Sequence, residues 1–107
     1  MANEHFLAQL WATIESRKAE AGPEKSYTRE LLANPSKARK KVAEEAHEVN
    51  EAHQALLAGQ DTKDHLAHEA ADLIYHLFVV LASADVTPAE VYAVLQGRHQ
   101  KKPRTGT

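Results

Sequence analysis

Cysteine is absent from the 107 residues, which excludes disulfides, zinc–thiolate centres and cysteine nucleophiles and agrees with a cytoplasmic setting. Glycine and proline are scarce, four of each, beside 43% hydrophobic and 26% charged residues, a balance that suits a packed helical domain and not a disordered chain. Positive charge is not in excess. The net charge is −2 with neutral histidines, so no global basic field exists to hold a nucleic-acid polyanion by counterion release. A long apolar run is also missing: residues 73–82 are interrupted by His76 and reach about half of the ~20 residues a membrane span needs. Residues 1–10 include Glu4 and His5 and lack the basic start and apolar stretch of a signal peptide. Neither nucleic acid nor a membrane is expected as a partner.

What remains is helical periodicity. Phe6, Leu7, Leu10, Trp11 and Ile14 recur at spacings of three and four, one face of a first amphipathic helix that frays before Gly22-Pro23. Residues 22–28 read as a loop, followed by a short helical turn over 29–33. Asn34 as N-cap, Pro35 at the first helical position and Gly59 past the far end define a long helix over 34–58. The short loop at 59–61 favours an antiparallel neighbour, predicted over 62–84, with Leu73, Ile74, Leu77, Phe78 and Leu81 as its most buried part. Thr87-Pro88-Ala89-Glu90 is a capping box opening a last helix through Val91, Val94 and Leu95, which Gly97 ends or weakens. The fold class is therefore all-α, an antiparallel bundle of four to five helices in one domain over 1–99, with a polar tail at 100–107. A domain of this length buries only about 60 to 65% of its unfolded surface, so pairing with a second copy would help it.

Two acidic clusters fall on the two longest helices: Glu44-Glu45-Ala46-His47-Glu48, and Glu69-Ala70-Ala71-Asp72. Three residues of helix turn by about 300°, so Glu45 and Glu48 share a face, as do Glu69 and Asp72. Both pairs flank apolar residues, so packing the two helices through those faces would bring four carboxylates together at the core edge. Such a gathering calls for a cation, and an all-oxygen site suits Mg²⁺ better than zinc. The same spacing also fits ordinary solvated helix surface, and two pairs on consecutive helices shift the balance toward a metal. The run Lys37, Arg39, Lys40 and Lys41 lies in the first turns of the same helix, where the macrodipole disfavours cations. It can face a polyphosphate, or pair at i, i+4 as Lys40 with Glu44 and Lys41 with Glu45. The seven histidines do not make a zinc site: His65 and His68 have no third ligand, and His47-Glu48 with His53 misses the zincin spacing by two. No nucleophile elbow and no Gly-rich phosphate loop is present.

The order Pro23-Glu24-Lys25-Ser26-Tyr27-Thr28, Lys40-Lys41-Val42-Ala43-Glu44-Glu45-Ala46-His47-Glu48, Glu69-Ala70-Ala71-Asp72-Leu73-Ile74-Tyr75-His76-Leu77 and Arg98-His99 resembles the phosphoribosyl-ATP pyrophosphohydrolase family. That family belongs to the MazG-like all-α nucleoside triphosphate pyrophosphohydrolases, marked by Glu-Glu-x-x-Glu and then Glu-x-x-Asp on the next helix. The likeness runs over residues 7–99. The acidic signature marks the superfamily, while Ser-Tyr-Thr and the Tyr-His after the aspartate point to this member. The resemblance implies hydrolysis of the α–β phosphoanhydride of phosphoribosyl-ATP, the second step of histidine biosynthesis. By position it implies Mg²⁺ ligands at Glu45, Glu48, Glu69 and Asp72, with Glu44 a further catalytic carboxylate and Glu44 or Glu48 the base. Substrate contacts fall on Lys25, Ser26, Tyr27, Thr28, Lys41, Tyr75 and His76, and the family's homodimers build sites near the subunit contact.

Asn50, Glu51 and His53 stand where the family usually has apolar or small residues, and Gly97 where a basic residue is common. Many relatives carry a cyclohydrolase domain with metal-binding cysteines, which a cysteine-free sequence is expected to lack. Two other readings share parts of the pattern: a house-cleaning pyrophosphohydrolase of free nucleoside triphosphates, and a non-catalytic helical interaction module.

Overall fold

A computed structural model describes residues 5–19 and 26–100, and these form five helices with no strand among them. They are α1 (Phe6–Ala19), α2 (Tyr27–Ala33), α3 (Pro35–Leu57), α4 (Lys63–Ser83) and α5 (Pro88–Gln100). The expectations for Lys25, the Gly22-Pro23 loop and the tail from 101 onward lie outside the described residues.

The two long helices begin and end where their capping chemistry directs. Asn34 accepts from the Lys37 backbone N–H and Thr62 from that of His65, each satisfying an orphan donor of the first turn. α3 ends in a Schellman arrangement: the N–H of Gly59 donates to the Leu56 carbonyl and that of Gln60 to Ala55, with Gly59 at φ 74°. α4 ends in the same way through Asp85 and Val86, which donate to Ala82 and Leu81. Here the left-handed residue is Asp85, at φ 58°, a conformation that aspartate tolerates better than most side chains. Its carboxylate pairs with Lys18 of α1, whose ammonium also donates to the Ala82 carbonyl at 2.8 Å. Thr87 and Glu90 form the reciprocal capping box at α5: Glu90 accepts from the Thr87 N–H at 2.7 Å, and Thr87 accepts from the Glu90 N–H at 3.2 Å.

α3 and α4 form a helical hairpin across residues 58–62, and α1 and α2 pack against α4. The core gathers Ile14, Leu31, Ala38, Phe78, Val79 and Ala82, with Leu10, Trp11, Leu32 and Tyr75 closing around it. Trp11 meets Phe78 edge to face with ring centroids 5.7 Å apart.

Two expectations need correction. In α4, Ile74 and Leu77 are 40% and 42% exposed, because α1 to α3 cover only part of the broad apolar face, and the buried places go to His76, Phe78, Val79 and Ala82. Phe6 and Leu7 at the start of α1 are exposed as well. Gly97 does not end α5, which continues to Gln100: the helix buries no residue, and nothing around Gly97 forces a turn. The departures at Asn50, Glu51 and His53 cost no packing, since all three are exposed and the buried contact on that stretch is Ala52. Among the described residues α4 alone is long and apolar enough by composition to cross a membrane. Its buried Phe78, Val79 and Ala82 and its Glu69 and Asp72 instead mark it as the central helix of the packed bundle.

Candidate metal and substrate site

The hairpin delivers the carboxylates. Glu45 from α3 and Glu69 and Asp72 from α4 each place an oxygen within 4.8 Å of the others. Glu45 and Glu69 are half-buried and Asp72 is exposed, so the group opens toward solvent from one flank of the helix pair. Glu48, one turn along α3, is exposed and stands outside this group, although its charge acts on Glu69.

Burial first, and then the Glu48 carboxylate, push the Glu69 carboxyl above the ordinary glutamate range, with Glu45 and Asp72 adding and only His65 opposing. Burial leads this shift and the acidic neighbours add to it, so the carboxylates disfavour one another's ionisation. The donor set is all oxygen and its members sit on two rigid helices, which suits a hard divalent ion of the Mg²⁺ class.

The electrostatics give a signed expectation. A carboxyl whose folded pKa is raised adds stability below its unfolded pKa and loses that contribution as pH rises through the folded value. Glu69 therefore weakens the metal-free protein as pH climbs through and above the carboxylate range. Glu30 and Asp61 act in the opposite sense, because Lys37 and His65 lower their pKa values. Glu69→Gln isolates the contribution. By calorimetry without metal, the variant is expected to gain on the wild type as pH rises toward neutrality. Mg²⁺ is expected to raise the wild-type Tm at neutral pH more than that of the variant. Equal responses would remove Glu69 from the site.

Positive charge lies beside the group. Lys41 contacts Glu44 at 3.2 Å and Glu45 at 3.7 Å, and the bond to Glu44, ahead of its other neighbours, raises its pKa. At the far end of the basic run Lys37 reaches back to Glu30 of α2 at 2.6 Å. At the hairpin turn His65 bonds Asp61 at 2.6 Å and approaches Glu69 at 3.8 Å, and His68 Nδ1–H donates to the Asp64 carbonyl oxygen at 2.9 Å.

The Ser26–Thr28 segment is bound to α4 by side chains. Ser26 caps α2 by accepting from the Arg29 N–H, which starts the helix two residues before the turn expected over 29–33. The Tyr27 hydroxyl bonds His76 Nε2 at 2.9 Å, Thr28 Oγ1 bonds the Tyr75 hydroxyl, and His76 Nδ1 bonds the Asp72 carbonyl oxygen at 2.7 Å. Burial raises the Tyr75 pKa, against the pull of Thr28. The ring of Tyr27 stacks on Tyr75 at 6.2 Å and meets His76 edge-on at 5.8 Å. Of the residues singled out in the sequence, the fold thus unites Glu45, Glu69, Asp72 and Lys41 on the acidic side and Tyr27, Thr28, Tyr75 and His76 beside it. Helical periodicity cannot show this second group, because its bonds join residues 47 to 49 positions apart.

A family model described as phosphoribosyl-ATP pyrophosphohydrolase matches residues 7–99. The phosphoribosyl-ATP pyrophosphatase of Cereibacter sphaeroides is 47% identical over 93 residues, covering 86% of this chain and 84% of the relative. The protein of the same name from Halobacterium salinarum is 45% identical over 97 residues, covering 86% and 95%, and that of Jannaschia sp. is 43% identical over 94 residues, covering 87% and 86%.

Proposed function

The chain belongs to the phosphoribosyl-ATP pyrophosphohydrolase family, and from that premise we infer that it hydrolyses phosphoribosyl-ATP to phosphoribosyl-AMP and pyrophosphate, a step of histidine biosynthesis. The observation that carries the chemistry is the convergence of Glu45, Glu69 and Asp72 from two helices, beside Lys41. We propose that these carboxylates, with Glu48 from the next turn, hold Mg²⁺. The ion, when bound, supplies neutralisation of the triphosphate and a more acidic attacking water.

The remaining work falls to the chain's own groups. Lys41, protonated and next to Glu45, faces phosphate oxygens as a point charge. Glu44, or Glu48 where it does not hold the ion, takes the proton of the attacking water, and both are exposed. Ser26, Tyr27, Thr28 and Tyr75 form the substrate-facing side. His76 supports it from beneath.

The exposed Ile74, Leu77, Tyr92, Val94 and Leu95 support a homodimer, since a small bundle gains by covering so much apolar surface. Sedimentation at the mass of one chain would count against it. The cytoplasm is the proposed location, in keeping with the absence of cysteine.

Substrate choice separates this reading from a house-cleaning pyrophosphohydrolase. With phosphoribosyl-ATP, dCTP and dUTP offered at equal concentration, turnover is expected to favour phosphoribosyl-ATP, with phosphoribosyl-AMP as the second product by chromatography. Faster turnover of the free deoxynucleotides would overturn the assignment.

A further inference from the structure

While the imidazole is neutral, the hydrogen bonds through His76 set the direction of the protons along them. His76 is 6% exposed and both ring nitrogens are engaged. The Asp72 carbonyl oxygen can only accept, so Nδ1 carries the proton that it receives. In the neutral ring, Nε2 then holds a lone pair, and the partner at 2.9 Å, the Tyr27 hydroxyl, must donate. Tyr27 has one proton, and that proton is committed to His76.

The geometry points to a positioning role for His76: it holds the Tyr27 hydroxyl as a hydrogen-bond acceptor toward the substrate, so that Tyr27 meets a sugar hydroxyl and not a phosphate oxygen. This rests on the reading of the site as the phosphoribosyl-ATP site. The consequence follows from elementary pairing. Phosphate oxygens only accept, and an oxygen whose proton is already given away offers them nothing. A ribose O–H can donate to the remaining lone pairs of Tyr27, a residue that is 44% exposed and whose bond to His76 is part-buried. The orientation is held by more than one bond: Tyr27 stacks on Tyr75, Tyr75 meets His76 edge-on at 4.9 Å, and Thr28 bonds Tyr75. The Asp72 carbonyl that sets the tautomer belongs to the residue whose carboxylate joins the acidic group. The sugar-facing side and the metal-facing side therefore share one turn of α4, and phosphate recognition is left to Lys41 and the cation.

Two arms test this on the full chain. Imidazole ¹⁵N NMR at neutral pH is expected to show His76 as the Nδ1–H tautomer, with Tyr27→Phe shifting the Nε2 resonance and leaving Nδ1 protonated. An Nε2–H tautomer or a doubly protonated ring would overturn the proposal. In kinetics, Tyr27→Phe is expected to raise KM for phosphoribosyl-ATP roughly three- to tenfold with kcat nearly unchanged, the effect of one lost neutral hydrogen bond made equally in ground and transition states. The inhibition constant of inorganic tripolyphosphate, which has no sugar, should stay as in the wild type. A tripolyphosphate constant that rises in step with KM would show Tyr27 donating to phosphate and would equally overturn it. His76→Asn should reproduce Tyr27→Phe, and His76→Gln, whose amide oxygen can accept from Tyr27, should recover part of the loss. If His76→Asn fails to fold by circular dichroism, Tyr27→Phe decides alone. The NMR arm needs no substrate, so a failure to hydrolyse phosphoribosyl-ATP would sink the assigned reaction and leave the hydrogen-bond assignment to be judged separately.

Discussion

Glu69→Gln and Asp72→Asn are each expected to lower Mg²⁺-dependent pyrophosphate release by at least about a hundredfold, the scale of losing an inner ligand or a comparable electrostatic contact. Each change keeps the side chain's shape and removes one negative charge from a group whose oxygens lie within 4.8 Å of each other. Loss of activity should therefore come without loss of structure. Since Glu69 is held above the usual carboxylate range by burial and by its acidic neighbours, removing a charge relieves repulsion in the metal-free state. The variants are expected to melt no lower than the wild type without metal and to lose most of the Mg²⁺-induced rise in Tm. A variant that melts lower without metal would mean that the carboxylates stabilise the fold by themselves, contrary to the charge argument. A variant that keeps its turnover would remove that residue from the site.

Leu31→Ala is expected to destabilise the protein by about 2 to 5 kcal/mol, which for a domain of this size is a fall in Tm on the order of 10 to 20 °C. Leu31 is fully buried and is the one residue of seven-residue α2 that is buried in the core. A helix so short has little stability of its own, so its place depends on that anchor and on the bonds of Tyr27 and Thr28 to α4. The truncation is a cavity at the joint of α1, α2 and α4, and the substrate-facing segment should loosen with it, raising KM alongside the loss of stability. Leu57→Ala is the contrast. Leu57 is 75% exposed, and its truncation should change stability by no more than about 0.5 kcal/mol. Equal costs at the two positions, measured by denaturant unfolding, would contradict the packing described here.

The sequence was most readable where local chemistry decides the structure. Asn34, Gly59 and the Thr87–Glu90 box mark helix ends because capping depends on neighbours within a few residues: α3 begins after Asn34 and ends before Gly59, and α5 begins after Thr87. The meeting of Glu45 with Glu69 and Asp72 follows from a short loop that makes an antiparallel hairpin and from helical spacing, but the fourth carboxylate expected with them, Glu48, is exposed and stands outside the group. What eluded the pattern depends on tertiary partners. Hydropathy favours Ile74 and Leu77 for the interior over His76, yet His76 is inside because both its nitrogens find partners there. Asp85 adopts a left-handed backbone with Lys18 of a distant helix beside it, and no local motif announces that pair. Ser26 starts α2 earlier than the apolar spacing alone indicated, and Gly97 passes through α5 with open space around it.

The central claim is that this acidic hairpin drives a metal-dependent attack on phosphoribosyl-ATP. Pyrophosphate release from that substrate by the wild-type chain, followed with Mg²⁺ present and again after excess EDTA, tests it most directly. The account predicts release in equal amount with phosphoribosyl-AMP when Mg²⁺ is present, and its near-complete loss on chelation with recovery when Mg²⁺ is restored. Release that persists unchanged in EDTA, or none from a folded protein supplied with Mg²⁺, would contradict it.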